Sequence, residues 1–382
     1  MTTIYLIRHA QAEGNLYRRC HSWHNGLITV KGRAQIAALE RRFEGEHFDA
    51  VYSSDLYRTM TTARAIYRTR DLPLHVDPNL REIGAGVWED VPWGQLLHDH
   101  RGSLAAFLRC DPSWQVEGSE THVGVRNRVK TAIERIALAH PEQTVAVVSH
   151  GCAIRAGLSA FLGLTPDQIG QIPLGNNTSV AKLEAENGTI KVVYYNDDSH
   201  LGPADPLPKA STAYGLAGME RNALRFQPLP LPQEKEQYLS ARWDGWMASH
   251  GSIDGFDGDK FLAAAEKNSA HDQNSVVLAL LGDTPVGVLQ MDWEQEAELR
   301  VGRVPFLYMM PEFRSKGLGV QLLGHAVCTY RAMGRQYLRL RCAPENGQAQ
   351  KFYRSHGFCK IGEEPGGTGR LDIMEKYIGL AL

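Results

Sequence analysis

Two histidines stand at the ends of two short apolar segments. His9 follows Leu6-Ile7-Arg8, and His150 follows the run 144–148 within Ser149-His150-Gly151. A phosphate monoester is dianionic near neutral pH, so a nucleophile is repelled until cations neutralise the charge. Arg8 and Arg58 supply such cations as rigid forks for non-bridging oxygens, and Asn15 adds a neutral donor. A neutral ring nitrogen of His9 could then attack phosphorus in line and form a phosphohistidine, with metaphosphate-like charge held by the surrounding donors. His150 precedes a helical pattern of Ile154, Leu158 and Phe161, so it adds a donor beside a positive helix end. His21 and His24 flank Trp23 but lack a third ligand at suitable spacing. They read as pocket rim or surface, and no metal is expected.

A second anion site is written further along. An apolar segment, 304–310, ending in Met309 and Met310, runs into Pro311-Glu312-Phe313-Arg314-Ser315-Lys316-Gly317-Leu318-Gly319 and then a helical stretch. Glycines 317 and 319 let the backbone approach an anion, while unpaired amides at a helix start point at it. The loop lacks the Gly-Lys-Ser/Thr of a Walker loop and the third glycine of a Rossmann fingerprint.

The elements that must hold these residues are legible as periodicities. Apolar runs of strand length (4–7, 50–52, 144–148) alternate with helical segments. Val125, Val129, Ile133 and Ile136 share one helix face, as do Ile36, Leu39 and Phe43 after the N-cap candidate Thr29. This alternation predicts an α/β sheet with helices on both faces. Segments 180–183 and 190–194, joined at Asn187-Gly188, predict a hairpin with a type I′ turn. A stretch rich in proline and glycine follows and reads as a linker over 203–219. A second pattern begins near 220: a strand at 224–227, helices at 233–249 and 258–267, strands at 276–281 and 286–292, a long helix and a final strand pair.

At 382 residues the chain is long for one core, so two domains are expected. A formal charge of -2 gives no net attraction to nucleic acid or anionic lipid. No apolar run approaches a membrane span, and the start carries no signal-peptide pattern. The scattered cysteines Cys20, Cys110, Cys152, Cys328, Cys342 and Cys359 fit reduced thiols in a cytoplasmic protein.

Four blocks in order resemble the histidine phosphatase family, the phosphoglycerate-mutase-like group. Arg8-His9-x5-Asn15 resembles its signature Arg-His-Gly-x-x-x-x-Asn, with Ala10 in place of the glycine. Ser53-Ser54-Asp55-Leu56-x-Arg58-Thr59-x-x-Thr62-Ala63 is similar to its second arginine block. Leu80-Arg81-Glu82-Ile83, followed by Gly86-Val87-Trp88-Glu89, resembles the segment with the proton donor, which implies that role for Glu82. Asn196-Asp197-Asp198-Ser199-His200-Leu201 resembles the closing tail. The resemblance implies a three-layer α/β/α domain over residues 1–202 and catalytic roles for His9, Arg8, Arg58, Glu82 and His150. Asn15 is implied to bind substrate.

Residues 220–382 resemble the GNAT (GCN5-related N-acetyltransferase) family, an α/β fold with a mixed sheet. The loop Arg314–Gly319 is similar to its Arg/Gln-x-x-Gly-x-Gly/Ala motif, which holds the pyrophosphate of acetyl-CoA. Asn346-x-x-Ala349-x-x-x-Tyr353-x-x-x-Gly357-Phe358 resembles its next block. The resemblance implies cofactor contacts from Met309, Met310, Arg314, Ser315, Lys316, Gly317, Leu318, Gly319 and Asn346. It also implies that Tyr353 protonates the departing thiolate. Glu296 and Glu298 are candidate bases for the amine, and Trp243, Trp246 and His250 lie on the helices expected to meet an acceptor not named by the sequence.

The segment between Glu82 and the Val125 helix forms the lid in histidine phosphatases. Here it is short, with Trp88, Trp93, His98, His100 and Trp114, whose indoles line an apolar substrate or simply pack. The compact domain resembles the phosphatase branch more than the glycolytic mutases, whose lids are longer, which implies hydrolysis. The expectation is a metal-independent phosphomonoester phosphatase joined to an acetyl-CoA-dependent N-acetyltransferase. The alternatives are a phosphoglycerate-type mutase, or a phosphatase controlled by an acetyl-CoA-sensing domain.

Overall fold

The computed structural model describes residues 1–202, 215–367 and 369–380. It divides into two units, one comprising Met1–Asn15, Arg19–Val91 and Leu96–Met219, the other Leu16–Arg18, Pro92–Gln95 and Glu220–Leu382. Of the expected linker, residues 203–214 lie outside the described residues, and Leu216–Asn222 is helical.

The apolar runs of the first unit become β1 (Thr2–Arg8), β2 (Ala50–Ser53) and β4 (Thr144–Ser149), with β3 (Leu74–Val76) added at one edge. The hairpin β5 (Val180–Glu186) and β6 (Thr189–Asp197) closes the other edge. The sheet order is β3-β2-β4-β1-β5-β6. The strands of the β3-β2-β4-β1 part are parallel, and β5 and β6 join antiparallel. Asn187 and Gly188 both have positive φ, as the type I′ turn requires.

Because successive side chains alternate across a strand, each strand feeds two layers. Tyr5, Ile7, Val51, Ala146 and Val148 pack with Leu39, Ala63 and Ile66 from the helices Val30–Arg42 and Tyr57–Tyr67, and with Phe43 at the C-cap of the first. The alternate residues Ile4, Leu6, Val145 and Val147 are buried too, as are Val125, Val129, Ile133, Ile154 and Leu158 of the helices His122–Ala139 and Gly151–Phe161. A sheet covered on both faces has strands that are apolar throughout, which is how these runs read in sequence. Thr29 caps its helix as expected, accepting from Gly32 N–H at 2.9 Å.

The second unit holds a mixed sheet of order β12-β13-β11-β10-β9-β8-β7. Its strands are β7 (Leu224–Pro228), β8 (Val276–Leu281), β9 (Thr284–Asp292), β10 (Val301–Met309), β11 (Tyr337–Cys342), β12 (Cys359–Pro365) and β13 (Arg370–Tyr377). Val277, Ala279, Leu289 and Met291 pack under the helix Gly319–Ala332, while Val276, Leu278, Leu280 and Val288 pack under Lys235–His250 and Gly258–His271. Only β10 and β11 run parallel, and their pairing stops at Val304↔Leu340. Pro305 follows, within a bulge between Arg303 and Phe306. A proline cannot donate to a ladder, so the strands part there. No helix among the described residues is long and apolar enough to cross a membrane.

Candidate active sites

β1 and β4 are parallel neighbours, with Arg8 opposite Ser149, so both histidines emerge at one sheet edge. The His9 and His150 ring centroids are 5.2 Å apart, and both side chains are buried. His9 Nδ1 lies 2.7 Å from its neighbour's carbonyl, Ala10 O. A carbonyl only accepts, so Nδ1 carries the proton and Nε2 the lone pair. Burial, reinforced by Arg58 and Arg8, holds the His9 imidazole well below its usual range, so it is neutral at pH 7.

The arginines are held by carbonyls rather than carboxylates. Arg8 Nη1 donates to Gly175 O, and its own backbone is pinned by Thr178 N–H to Arg8 O at 3.1 Å. Arg58 donates to His24 O at 3.2 Å and to Ser22 O. Burial pulls Arg58 down to about 10, which leaves it charged at neutral pH. Glu89 supports this turn from behind. Its carboxylate accepts the N–H groups of Trp23 at 2.9 Å, His24 at 2.8 Å and Ala85 at 2.9 Å. Burial pushes Glu89 up despite these bonds.

Glu82 reaches the N-terminus of the helix that begins after His150. Its carboxylate accepts Cys152 N–H at 3.1 Å and Ala153 N–H at 2.9 Å. Asn15 Oδ1 accepts Ala12 N–H at 3.1 Å, and Asn177 Nδ2 bridges Asn15 Oδ1 and His9 O. The loop carrying Asn177 thus fixes Asn15 beside the His9 backbone. His24 borders the site through its carbonyl, and Trp23 is 42% exposed with its Nε1 on Glu82 O. No cluster of metal-ligand type occurs among the described residues.

The lid indoles are resolved towards packing. Trp88, Phe107, Trp114 and His122 form a buried aromatic cluster with centroid separations of 4.7–6.1 Å, and His100 stacks on Trp88. Trp93 is buried, whereas His98 pairs with the adjacent Asp99 at the surface. Trp88 and Trp114 therefore do not offer an apolar wall to substrate.

In the second unit, Met309 and Met310 end β10, and the loop 311–319 leads into the helix Gly319–Ala332. None of the backbone hydrogen bonds among the described residues uses the N–H groups of 315–320. Gly317 has φ +73°, and a Cβ there meets nothing, so its glycine serves the turn. A Cβ on Gly319 makes only ordinary contact, 3.5 Å from Met309 Cγ, so nothing in the fold itself demands that glycine. Arg314 turns back to Met309 O at 2.8 Å and Asp244 at 2.7 Å. Ser315 Oγ lies 3.5 Å from Gln348 Nε2, and Lys316 Nζ stands 5.4 Å from the Phe313 ring centroid.

Asn346 is the N-cap of the helix Gly347–Ser355, accepting Ala349 N–H at 3.0 Å while its Nδ2 donates to Ser249. Glu296 is paired with Arg339 at 2.8 Å and with Arg303 at 3.4 Å. Glu298 is exposed in the same turn. Both precede β10, whose nine residues separate them by about 30 Å from the loop that follows it. Tyr353 is buried beside Phe352 and Phe358, and burial raises its hydroxyl well above the usual range.

Residues 4–198 match the model of the histidine phosphatase superfamily, branch 1. The chain belongs to this superfamily. Residues 236–358 match the acetyltransferase (GNAT) family, so a histidine phosphatase domain is joined to an acetyltransferase domain. Phosphoserine phosphatase 1 of Hydrogenobacter thermophilus is 28% identical over 53% of this chain and 95% of its own length. The probable phosphoglycerate mutase GpmB of Proteus mirabilis is 29% identical over 49% of this chain and 86% of its own. Among solved structures, Bacillus stearothermophilus YhfR superposes with a TM-score of 0.51 and 29% identity over 53% of this chain and all of that one.

Within this histidine phosphatase domain, Ser54, Glu89, Arg128 and Asn177 support the site without having been assigned a role from sequence. Arg128 grips Glu120 with two bonds of 2.8 Å and donates to the carbonyls of Asn79, Arg81 and Glu82. Ser54 and Glu89 lie inside blocks that carry a chemical residue, the one signal that could have found them. Arg128 and Asn177 leave no local mark.

Proposed function

We propose that residues 1–202 hydrolyse small phosphomonoesters through a phosphohistidine on His9, without a metal. One observation carries this reading. Arg8 Nε, Arg58 Nε and His150 Nδ1 are buried nitrogens with no partner among the described residues, gathered around a neutral imidazole. A buried donor without an acceptor is costly, and a phosphoryl anion satisfies all three. His9 Nε2 attacks phosphorus, the ester oxygen leaves with a proton from Glu82, and the phosphoryl group rests on His9. Water then attacks phosphorus, returns a proton to Glu82, and releases inorganic phosphate from a neutral His9.

The phosphoserine phosphatase among the relatives supports hydrolysis, and the probable mutases keep a second reading in view. In that reading a substrate hydroxyl replaces water. A broad panel of phosphorylated metabolites, assayed with and without a bisphosphorylated primer, separates the two: primer-independent phosphate release supports hydrolysis.

For residues 220–382 we propose acetyl-CoA-dependent N-acetylation of a small amine. The open N–H groups of 315–320, next to the positive φ of Gly317, suit a pyrophosphate. Bound there, acetyl-CoA supplies an acetyl thioester, and Tyr353 is assigned the proton delivered to the leaving sulfur. An acetylation screen over an amine panel tests this. Binding without any acetylated product, coupled to altered phosphatase turnover, supports a sensor domain instead.

A further inference from the structure

We infer that the Ser54 hydroxyl fixes the tautomer of His150: it donates to Nε2, so the ring's proton stays on Nδ1 and faces the phosphoryl group. This rests on the phosphatase reading above.

Ser54 Oγ lies 2.7 Å from His150 Nε2, 2.7 Å from Thr59 Oγ1 and 3.4 Å from Leu56 N. Ser54, Thr59 and His150 are each 0% exposed, so bulk water does not compete. Burial, then Arg58 and His9, hold His150 well below the usual imidazole range. The ring is therefore neutral and carries one proton.

Two arrangements of the hydroxyl protons satisfy these contacts. In the first, Thr59 donates to Ser54 Oγ, Leu56 N–H approaches the same oxygen, and Ser54 is left to donate to Nε2. Nδ1–H then faces the site. In the second, Thr59 donates back to Leu56 O, 2.7 Å away, a habit of threonines in the first helical turn. Ser54 then donates to Thr59, Nε2–H donates to Ser54, and the Nδ1 lone pair faces the site. A phosphoryl dianion repels that lone pair and accepts from the proton. The substrate thus selects the first arrangement, and Ser54 is the group that makes it available.

The two histidines then use one tautomer for opposite tasks. In His9, Ala10 O takes the Nδ1 proton and the lone pair on Nε2 is presented. In His150, Ser54 takes up the lone pair and the proton is presented. Ser54 is a positioning residue, acting through His150.

The test uses the full chain with 15N-labelled histidine, saturated with inorganic phosphate, and long-range 1H–15N spectra assigned by loss of the His150 signal in His150→Gln. Wild type is expected to show a protonated Nδ1 and an unprotonated Nε2. Ser54→Ala should lose that pattern and lower kcat on alkyl phosphates on the order of a hundredfold, with KM little changed and Ser54→Cys intermediate. Thr59→Val removes the competing acceptor and should keep Nδ1–H. A wild-type His150 protonated on Nε2, or Nε2–H in Thr59→Val, overturns the inference whether or not Ser54→Ala folds. An unchanged tautomer and kcat in folded Ser54→Ala overturns it as well. Alkali-quench trapping of the phosphoenzyme runs alongside: a wild type that traps no phosphohistidine fails the phosphatase reading, whereas trapped phosphohistidine with the wrong tautomer fails only this one.

Discussion

The Glu82 carboxylate accepts the Ala153 N–H at 2.9 Å, which ties the proposed proton donor to the first turn of the helix capped by His150. The proposed donor and the proposed phosphate-binding histidine are therefore held at one helix terminus. The helix N-terminus holds the carboxylate in place between turnovers.

Glu82→Gln should slow esters with poor leaving groups far more than aryl esters, because a basic alkoxide needs the proton most. The expected loss on alkyl phosphates is about 10²- to 10⁴-fold. A leaving-group plot on both proteins checks it; parallel lines would remove Glu82 from the acid role.

Arg128 tests whether that acid must be aimed. Its guanidinium joins Glu120 to three carbonyls of the segment carrying Glu82. Arg128→Ala should lower kcat on alkyl phosphates on the order of a hundredfold, as a misplacement of about 1 Å does, while aryl phosphates lose much less. Equal losses on both would show general disruption of the site instead.

Acid stability follows from buried neutral imidazoles. Burial lowers His9 and His150 well below the usual range, and His122 to about 4. The unfolded chain protonates near pH 6.5 and the folded chain does not, so stability falls as pH drops from about 6.5 towards the folded values, by up to about 1.4 kcal/mol per pH unit per histidine. Unfolding midpoints should fall steeply between pH 7 and 5. His122→Gln should show a smaller fall than wild type, and an equal one would contradict the assignment.

Gly317 and Gly319 separate fold from ligand. Gly317→Ala places a side chain at φ +73° and should cost about 1–2 kcal/mol of stability as well as acetyl-CoA affinity. Gly319→Ala should leave the unfolding midpoint unchanged yet weaken acetyl-CoA binding. Calorimetric titration with acetyl-CoA reads this directly; full affinity in Gly319→Ala would place the pyrophosphate elsewhere.

The central strands were legible because burial on both faces leaves them apolar throughout, and the Asn187-Gly188 hairpin because its turn needs two positive φ values. β3 was not: Leu74–Val76 is three residues long and largely exposed, so no period marks it. The residues proposed to do the chemistry, His9, Arg58 and His150, could be read from their blocks, but the contacts that support them could not. Ser54 and His150 are 96 residues apart, and Arg128 reaches Asn79 across 49. Asn346 carries two readings at once, since an asparagine three residues before Ala349 reads equally as a ligand contact or a helix cap, and its Oδ1 makes the cap.

The most direct test of the account is covalent. Wild type mixed with 32P-labelled substrate and quenched in alkali should carry one base-stable, acid-labile phosphoryl group, located on His9 by peptide mapping. His9→Ala should carry none and release no phosphate while unfolding at a similar temperature. Near-wild turnover in His9→Ala, or label on another residue, would contradict the mechanism.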